Sequence, residues 1–437
     1  MKKFFAALLG ALMLASITGC GGSANDKNVS TSEVNSGKDT TIRMSWWGAN
    51  TRNERMNQIL DTYEKDHPGI TVTREYTNWN DYWTKFTTQA ATGTQPDVSP
   101  FVMQSIREYV NKGVLLPLDE YVESGKIDLS DWTETAKSPG ILDGKIYGIV
   151  YALSAQGVIY NQQLIESVGG EIPPETWTMD EFVAYCKDLR AKLPDDVWVV
   201  ETAATSDHAF EAYIRSIGKT VYSEDGKSLG FEKKDLASWF ALWEDLRKSG
   251  CTPDAGESAE AAALPYESSY LVLGKTAMLF QNCNLMPTFN SLSDSELFIT
   301  RAPSVSGNGC EILQPTAFGI SSKSKVVDES VDLINYLVND IDANLVFKAD
   351  YGAPADPEAI EALNAEATKD EKKNYDFIDL LVKDSTLPET VARAEGSATI
   401  MDALKRTYEN ISSGAVDINA GVDDFFAEAE DVLSKNQ

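Results

Sequence analysis

Histidine is nearly absent from this sequence, and this absence limits the chemistry that the chain can perform. His67 and His208 are the only two histidines among 437 residues. The motifs His-Glu-x-x-His, Gly-x-Ser-x-Gly and Gly-x-Gly-x-x-Gly are all missing, so the common zinc-hydrolase, serine-hydrolase and dinucleotide-binding sites are excluded. We therefore expect no metal site, no cofactor and no enzymatic activity.

Cysteine is also scarce, and its spacing fits no zinc motif. Apart from Cys20, the cysteines are Cys186, Cys251, Cys283 and Cys310. Disulfides are possible outside the cytoplasm, but the sequence assigns no pairs. Cys186 follows Phe-Val-Ala-Tyr in a helical pattern, which predicts a small core residue.

Positive charge is scarce as well. Lys and Arg number 38 against 67 Asp and Glu, which gives a net charge of −29. This excess of negative charge argues against nucleic acid and anionic lipid as partners.

The run Asp340-x-Asp342-x-Asn344 begins like a calcium loop but lacks its later glycine and glutamate, so it predicts a solvated helix end. So many carboxylates leave a glycosidase pair open, although no pair is marked out.

The N-terminus has the pattern of a secretory signal. Lys2 and Lys3 precede an apolar run from Phe4 to Leu14, which is too short to span a bilayer. The run leads to Ile-Thr-Gly-Cys at Cys20, which resembles a bacterial lipobox. This resemblance implies a lipoprotein signal peptide over residues 1–19, cleavage before Cys20 and acylation of that cysteine. We expect membrane contact through this lipid anchor only.

Residues 20–40 comprise the lipidated cysteine and a polar stretch that cannot bury enough apolar surface to order itself, which predicts a flexible tether. The remaining chain of roughly 400 residues is too long for one ordinary core and suits two lobes. Its beginning alternates strands and helices, which predicts a parallel sheet of the α/β class. The predicted elements are a strand at Thr41–Trp46, a helix at Asn53–Asp66, a strand at Ile70–Tyr76, a helix at Asn80–Ala91 and a strand from Pro96.

Several longer stretches resemble the extracellular solute-binding protein family 1, the sugar-binding group that includes maltose-binding protein. They occur in the family's order across nearly the whole chain after the tether. The stretches are TIRMSWWG at Thr41, YEKDHPGITV at Tyr63, KFTTQAATGTQPDV at Lys85, LLPLDEYV at Leu115, DGKIYGIVYALSAQGVIYNQQL at Asp143, PPETWTMDEF at Pro173, GKTAM at Gly274 and FGISSKSK at Phe318.

The resemblance implies a two-lobed, type II periplasmic-binding-protein-like fold with the ligand cleft between the lobes. It places the N-lobe at 41–149 plus 304–351 and the C-lobe at 150–303 plus 352–437. It also implies a monomeric substrate-binding subunit of an ABC importer on the extracytoplasmic face of the membrane. Its partners would be a small sugar and the permease subunits.

Ligands of doubly wound lobes lie beyond the carboxyl ends of strands, so the candidate residues are those just after each strand. Further candidates lie in the crossing segment, which the resemblance implies to join the two lobes and which holds Tyr151, Ser154 and Gln156. A sugar needs an aromatic ring for its apolar face and polar side chains for its hydroxyls. Trp46 and Trp47 alternate, which predicts one ring in the core and the other, Trp47, towards the cleft. The predicted ligand-binding residues are Trp47, Asn50, Trp79, Asp81, Gln104, Tyr151, Ser154, Gln156, His208, Asn282, Asn284 and Arg393.

Structural interpretations compete with several of these assignments. Trp47 is equally well explained as a core residue, and Arg393 with Glu395 fits a solvated ion pair. Trp239 and Trp243 share one helix face with apolar neighbours, which predicts core positions.

One departure from the family bears on the ligand. After Gly-Lys-x-Ala-Met the family often has Gly-x-Trp, whose indole stacks on sugar, whereas this chain has Gln281-Asn282-Cys283-Asn284. The missing indole argues against a linear maltodextrin and leaves another sugar open. The alternatives within binding proteins are a non-sugar polar solute, such as a glycerol phosphate or a polyamine. The alternative from another class of protein is a lipid-anchored glycosidase.

The lipobox generates a first testable prediction. Replacing Cys20 with Ser removes the thiol that would carry the lipid, so the variant is expected in the soluble fraction while the wild type pellets with membranes. Cell fractionation and immunoblotting measure the distribution. A Cys186→Ser variant, which leaves the lipobox intact, serves as the control. A Cys20→Ser protein that stays in the pellet like wild type would contradict lipid anchoring.

Overall fold

The computed structural model of this protein describes residues 39–436, apart from positions 49, 224, 308 and 385–392. The predicted signal peptide, Cys20 and the tether up to residue 38 lie outside these described residues. Within the described part of the chain, no helix is both long and apolar enough to cross a membrane.

The predicted alternation of strands and helices at the start of the fold is confirmed. β2 and β3 both pair with β1 in parallel, as expected for successive βαβ units. One face of α1 buries Met56, Ile59, Leu60 and Tyr63, which recur at helical spacing. These elements are β1 (Thr40–Trp47), α1 (Asn50–Asp66), β2 (Ile70–Thr77), α2 (Trp79–Thr92) and β3 (Val98–Val102).

A long strand, β6 (Ile149–Asn161), follows later in the chain. Twelve of its thirteen residues are buried. The helices and strands from the end of β3 to residue 263 are α3 (Met103–Asn111), α4 (Asp119–Glu123), α5 (Glu134–Lys137), β4 (Ile141–Leu142), β5 (Lys145–Ile146), β6, α6 (Gln162–Ser167), α7 (Met179–Arg190), β7 (Trp198–Val200), α8 (Asp207–Ser216), α9 (Lys233–Lys248) and α10 (Ala255–Ala263).

From β8 onwards strands and helices are interspersed, and from Pro357 onwards the described elements are all helices. The elements are β8 (Thr276–Asn282), α11 (Met286–Leu292), β9 (Leu297–Thr300), β10 (Leu313–Ile320), α12 (Val327–Asn339), α13 (Ile341–Phe347), β11 (Ala353–Pro354), α14 (Pro357–Glu366), α15 (Lys369–Val382), α16 (Ser397–Ser412) and α17 (Ile418–Leu433).

The strand order shows how β6 joins the two halves of the main sheet. The order is β2-β1-β3-β10-β6-β8-β7, with β9 and β11 also paired to β6. β10 pairs with β6 as far as Ala155, and β8 pairs with β6 from Gln156 onwards, both antiparallel. One strand therefore changes its partners between residues 155 and 156.

Two large hydrophobic cores lie on either side of this change. The first collects β1, β3, β10, the first half of β6, α12 and α13, and it also receives Tyr375, Phe377 and Leu381 from α15. The second collects the end of β6, β7, β8, α7, α9, α16 and α17. The fold is thus a two-lobed α/β architecture in which α15 packs on the first core.

Close approach of the backbone at β6 requires a glycine. Gly352 has a φ of 137°, and an added Cβ would lie 2.2 Å from the carbonyl oxygen of Leu153. Since any side chain would collide with the backbone there, glycine allows the segment leading into β11 to lie against β6.

The core predictions from the sequence can now be checked. Cys186 and Trp239 are fully buried and Trp243 is 1% exposed, as predicted. All four cysteines that the structure describes are free thiols. Asp340 caps α13 by accepting a hydrogen bond from the backbone N–H of Ala343, which confirms a helix end. The expectation that this end is solvated is wrong for Asn344, which is buried and donates to the Asp340 carbonyl.

Candidate functional site

Polar side chains converge where β6 changes its partner. Ser154 lies opposite Gln314 on β10, and Gln156 lies opposite Asn282 on β8. The Ser154 hydroxyl donates to the Asn284 side-chain oxygen at 3.0 Å. Asn282 and Gln314 exchange two amide hydrogen bonds of 3.2 Å each. We call Ser154, Gln156, Asn282, Asn284 and Gln314 the amide cluster.

The position of the amide cluster follows from the strand geometry. β8 ends at Asn282, and the short 3-10 turn Cys283–Leu285 brings Asn284 back towards β6. Amides both donate and accept hydrogen bonds, so this cluster can match a ligand that also carries both functions. Four of its five members were predicted from the sequence. Gln314 was missed because it lies at the start of a strand, β10, whereas the predicted positions follow strands or lie in the crossing segment.

An ion pair connects the amide cluster to the first lobe. The amide nitrogen of Asn284 donates to the Asp350 carbonyl at 3.2 Å, and the Arg52 guanidinium contacts the Asp350 carboxylate at 2.7 Å. The same guanidinium lies 4.1 Å from the centre of the Tyr351 ring. Burial alone lowers the pKa of Arg52, but Tyr351 and Asp350 outweigh it, so the pKa is raised. The Arg52 side chain is therefore protonated, and the carboxylate of Asp350 compensates its positive charge.

Beside this ion pair lies a group of aromatic rings. Trp47 contacts Trp79 edge-on at 5.0 Å between centroids, Tyr82 at 5.1 Å, Trp83 at 5.7 Å and Tyr351 at 5.0 Å. We call these five residues the aromatic cluster. Trp47 is only 6% exposed, whereas Trp79 is 47% exposed. Trp79 therefore offers the accessible ring of the cluster.

The burial of Trp47 differs from the predicted alternation of one buried and one exposed tryptophan. Trp46 is fully buried and Trp47 nearly so. The physical reason is that Tyr351, which lies 304 residues further along the chain, covers the ring and donates to the Trp47 carbonyl at 2.9 Å. Strand alternation alone cannot anticipate this cover.

Tyr151 lies behind the aromatic cluster. It is 2% exposed and packs at 5.1 Å against both Phe318 and Phe347. Its hydroxyl has no hydrogen-bond partner among the described residues, and burial raises the pKa of Tyr151 well above its ordinary value. The structure places this predicted residue in the core of the first lobe, with its polar atom unsatisfied.

A third group surrounds the start of α8. Ser206 caps the helix, and its hydroxyl donates to the side-chain oxygen of Gln156 at 3.2 Å, which links this group to the amide cluster. His208 contacts the Asp207 carboxylate at 2.9 Å. Burial raises the pKa of Asp207, but His208 and Arg393 outweigh it and hold the pKa well below its ordinary value.

The interpretation of Arg393 as part of a solvated pair is wrong. Its side chain is 7% exposed and contacts Asp207 at 2.7 Å and Glu211 at 2.8 Å. The correction has a physical reason: a buried guanidinium requires carboxylate partners, and α8 supplies both from successive turns. Arg393 therefore joins the candidate site as a neutralised cation.

The remaining predicted residues lie at helix starts. Asn50 is exposed at the first position of α1. Asp81 receives a 2.7 Å hydrogen bond from the Asn78 side chain, and its backbone N–H donates back to Asn78, so it closes the start of α2. Gln104 lies in α3, and its side chain is outside the described part of the structure.

Glu201 was missed by the sequence analysis. It directly follows β7, and one of its carboxylate oxygens is buried with no partner among the described residues. Burial raises the pKa of Glu201 to about 7. Sequence indicates only that Glu201 ends a strand, because burial and the absence of a partner arise from tertiary packing.

The two lobes, the shared strand and the polar and aromatic groups beside it define a two-lobed solute-binding protein. The chain belongs to the bacterial extracellular solute-binding protein family, whose family model matches residues 58–374. The fold is similar to that of an ABC substrate-binding protein from Listeria monocytogenes, solved in complex with cycloalternan. The TM-score is 0.77 at 22% identity, over 91% of this chain and 99% of that one.

Curated relatives match smaller parts of the chain. A protein from Brucella abortus described as a binding protein is 34% identical over 137 residues, which is 31% of this chain and 32% of the relative. The diacetylchitobiose binding protein of Streptomyces coelicolor is 25% identical over 204 residues, 45% of this chain and 46% of the relative. The chain thus spans about a third to under half of the length of these relatives.

Different burial of two aromatic rings generates a testable prediction. Trp47→Ala is expected to lower the unfolding free energy by roughly 3–5 kcal/mol, because removal of a packed indole leaves a cavity. Trp79→Ala, the matched control in the same cluster, is expected to cost about 1 kcal/mol or less. Denaturant unfolding of the ligand-free protein measures both. Equal losses for the two variants would contradict the packing described here.

The environment of Glu201 predicts a pH dependence. A carboxyl with pKa of about 7 when folded, against 4.5 ordinarily, keeps its proton in the folded state only, so stability falls as pH rises through this window. Glu201→Gln removes the effect and is expected to be more stable than wild type at pH 8, by up to about 3 kcal/mol, but not at pH 4. Unfolding is measured at both values.

The control for this experiment is Glu260→Gln, because Glu260 is an exposed carboxylate in the same lobe. We expect its stability difference from wild type to be small at both pH values. If Glu201→Gln shows no more pH-dependent gain than Glu260→Gln, the unpartnered burial of Glu201 is contradicted.

Proposed function

We propose that this protein is the extracytoplasmic substrate-binding lipoprotein of an ABC importer and that its ligand is a sugar, either a monosaccharide or an oligosaccharide. The observation that carries the proposal is the chain of contacts that links an accessible ring, Trp79, to the amide cluster. Trp79 contacts Trp47, whose carbonyl accepts from Arg52, and Arg52 and Asn284 both contact Asp350. Rings cover the apolar face of a sugar, and amides match its hydroxyls as both donors and acceptors. The predicted lobes, 41–149 plus 304–351 and 150–303 plus 352–437, enclose the ligand.

The charge balance of the site favours a neutral ligand. Arg52 contacts Asp350, and Arg393 contacts Asp207 and Glu211, so both buried cations have carboxylate partners. A phosphate ligand is best held by an uncompensated cation, and a polyamine by uncompensated carboxylates. Since these charges already compensate one another, glycerol phosphate and polyamine are weaker candidates than sugar.

The relatives support a saccharide. The Streptomyces relative carries diacetylchitobiose in its name, and the Listeria structure holds cycloalternan. Both ligands are saccharides, and neither is a linear maltodextrin. This agrees with the absence of the family's Gly-x-Trp indole after β8 in this chain.

The shared strand suggests how binding is transmitted. Trp79 and Arg52 belong to the first lobe, whereas Asn282 ends β8 of the second lobe and Asn284 follows that strand. A ligand that contacts both groups stabilises the closed arrangement, and hinge closure around ligand is the motion characteristic of periplasmic binding proteins. The closed form then delivers the sugar to the permease.

Cys20 anchors the binding protein to the extracytoplasmic face of the membrane in this proposal. Each buried methylene of an acyl chain contributes about 0.8 kcal/mol, so several chains on one cysteine give a stable anchor. The protein binds without hydrolysis, because the site described here combines aromatic rings with amides and with carboxylates that are mostly ion-paired.

A carbohydrate panel tests the proposal. A ligand that binds only the folded state raises the unfolding free energy by about 2.7 kcal/mol when its concentration is one hundred times the dissociation constant. A thermal-shift screen therefore identifies the ligand. Calorimetry with that sugar is expected to show at least thirtyfold weaker binding, about 2 kcal/mol, for Trp79→Ala and for Asn284→Ala.

Tyr76→Ala provides the matched control, because Tyr76 is an exposed ring of the first lobe that stacks on Trp46 outside both clusters. Its affinity is expected to equal that of wild type. A shift caused by phosphate esters or polyamines and by no saccharide would overturn the sugar proposal. Steady release of reducing ends that disappears on changing one carboxylate would show an enzyme instead.

A further inference from the structure

A separate cavity of about 490 Å³ lies between β9, α15 and the turn after Pro173. None of the residues of the amide cluster or the aromatic cluster lines it. Its volume falls in the range of pockets that hold small organic molecules. We call it the β9–α15 cavity.

Aromatic side chains from both cores form its apolar walls. Tyr160 and Phe298 stack at 5.9 Å between centroids on the second core, and Phe377 of α15 belongs to the first. Ile299 and Leu380 add aliphatic surface to this lining. The walls therefore offer ring surface for the apolar part of a ligand.

The cations in the wall are already compensated. The Lys373 ammonium lies 2.8 Å from Glu296 and 3.1 Å from Asp370, and Arg301 contacts Glu311 at 2.8 Å and Asp384 at 2.7 Å. These groups leave no uncompensated positive charge at the cavity to attract an anion.

Two carboxylates of the lining are not compensated in this way. Glu175 and Asp376 are exposed, and neither forms an ion pair within the described part of the chain. The balance of charge at the cavity is therefore negative. The wall also shows how it holds a cation, because the Lys373 ammonium lies 4.2 Å from the centre of the Phe298 ring.

We propose that the β9–α15 cavity is a second binding site, and that its ligand is a small organic cation with an apolar body. The apolar body lies against Tyr160, Phe377 and Leu380. The ammonium group lies at the mouth near Glu175 and Asp376. This site is distinct from the sugar site and does not depend on it.

Phenethylamine and its neutral analogue 2-phenylethanol test the proposal, since they differ mainly in the charged group. Calorimetry on the folded protein is expected to show saturable binding of the amine at least about fivefold tighter than that of the alcohol. Glu175→Gln/Asp376→Asn is expected to remove this preference while leaving the unfolding temperature unchanged, because both side chains are exposed. Asp379→Asn, an exposed carboxylate of α15 outside the lining, is the charge control.

Trp79→Ala locates the bound amine. We expect unchanged amine binding in this variant, since Trp79 belongs to the aromatic cluster of the other site. Three results would overturn the proposal. They are no saturable amine binding up to about 10 mM, equal binding of amine and alcohol, and equal losses in the double variant and Asp379→Asn. A loss of amine binding in Trp79→Ala would also overturn it by placing the amine in the sugar site.

Discussion

The change of partner along β6 is the constraint on which the rest of the architecture depends. Up to Ala155 the strand pairs with β10 and serves the first lobe, and from Gln156 it pairs with β8 and serves the second. Because one continuous backbone carries both pairings, the two cores are joined where the strand changes partner. Side chains around residues 154–156 consequently lie between the lobes, and the amide cluster forms there.

Neutralisation of buried charge is the second organising feature. A guanidinium removed from water requires carboxylate partners in good geometry. Arg52 has Asp350, Arg393 has Asp207 and Glu211, and Arg301 has Glu311 and Asp384. Although the chain carries a net charge of −29, these three cations lie in locally balanced groups. The candidate sugar site can therefore be polar without favouring an ion of either sign.

Glu201 and Tyr151 stand apart from this balance. Each has a buried oxygen without a partner among the described residues, and in each case burial raises the pKa of the group. An unsatisfied buried polar atom costs roughly 1–3 kcal/mol, so each of these two atoms lowers the stability of the fold.

Local patterns determined much of this protein. The spacing of Met56, Ile59, Leu60 and Tyr63 predicted the buried face of α1, since helical periodicity depends only on neighbouring residues. The parallel βαβ start and the buried position of Trp239 follow from the same kind of signal. Asn282 was also predictable, because strand ends in an α/β fold indicate where a cleft lies. Ser154 and Gln156 were predicted because the family resemblance implies that their segment crosses between the lobes.

Tertiary structure alone decided the partners of these groups. Arg52 and Asp350 are 298 residues apart, and no local pattern pairs them. Tyr351 covers Trp47, α8 buries Arg393, and α15 packs on the first core for the same reason. Sequence fixes which side chains are available and on which face of an element they lie. Which distant element covers them depends on how the sheet, joined through β6, brings remote segments together.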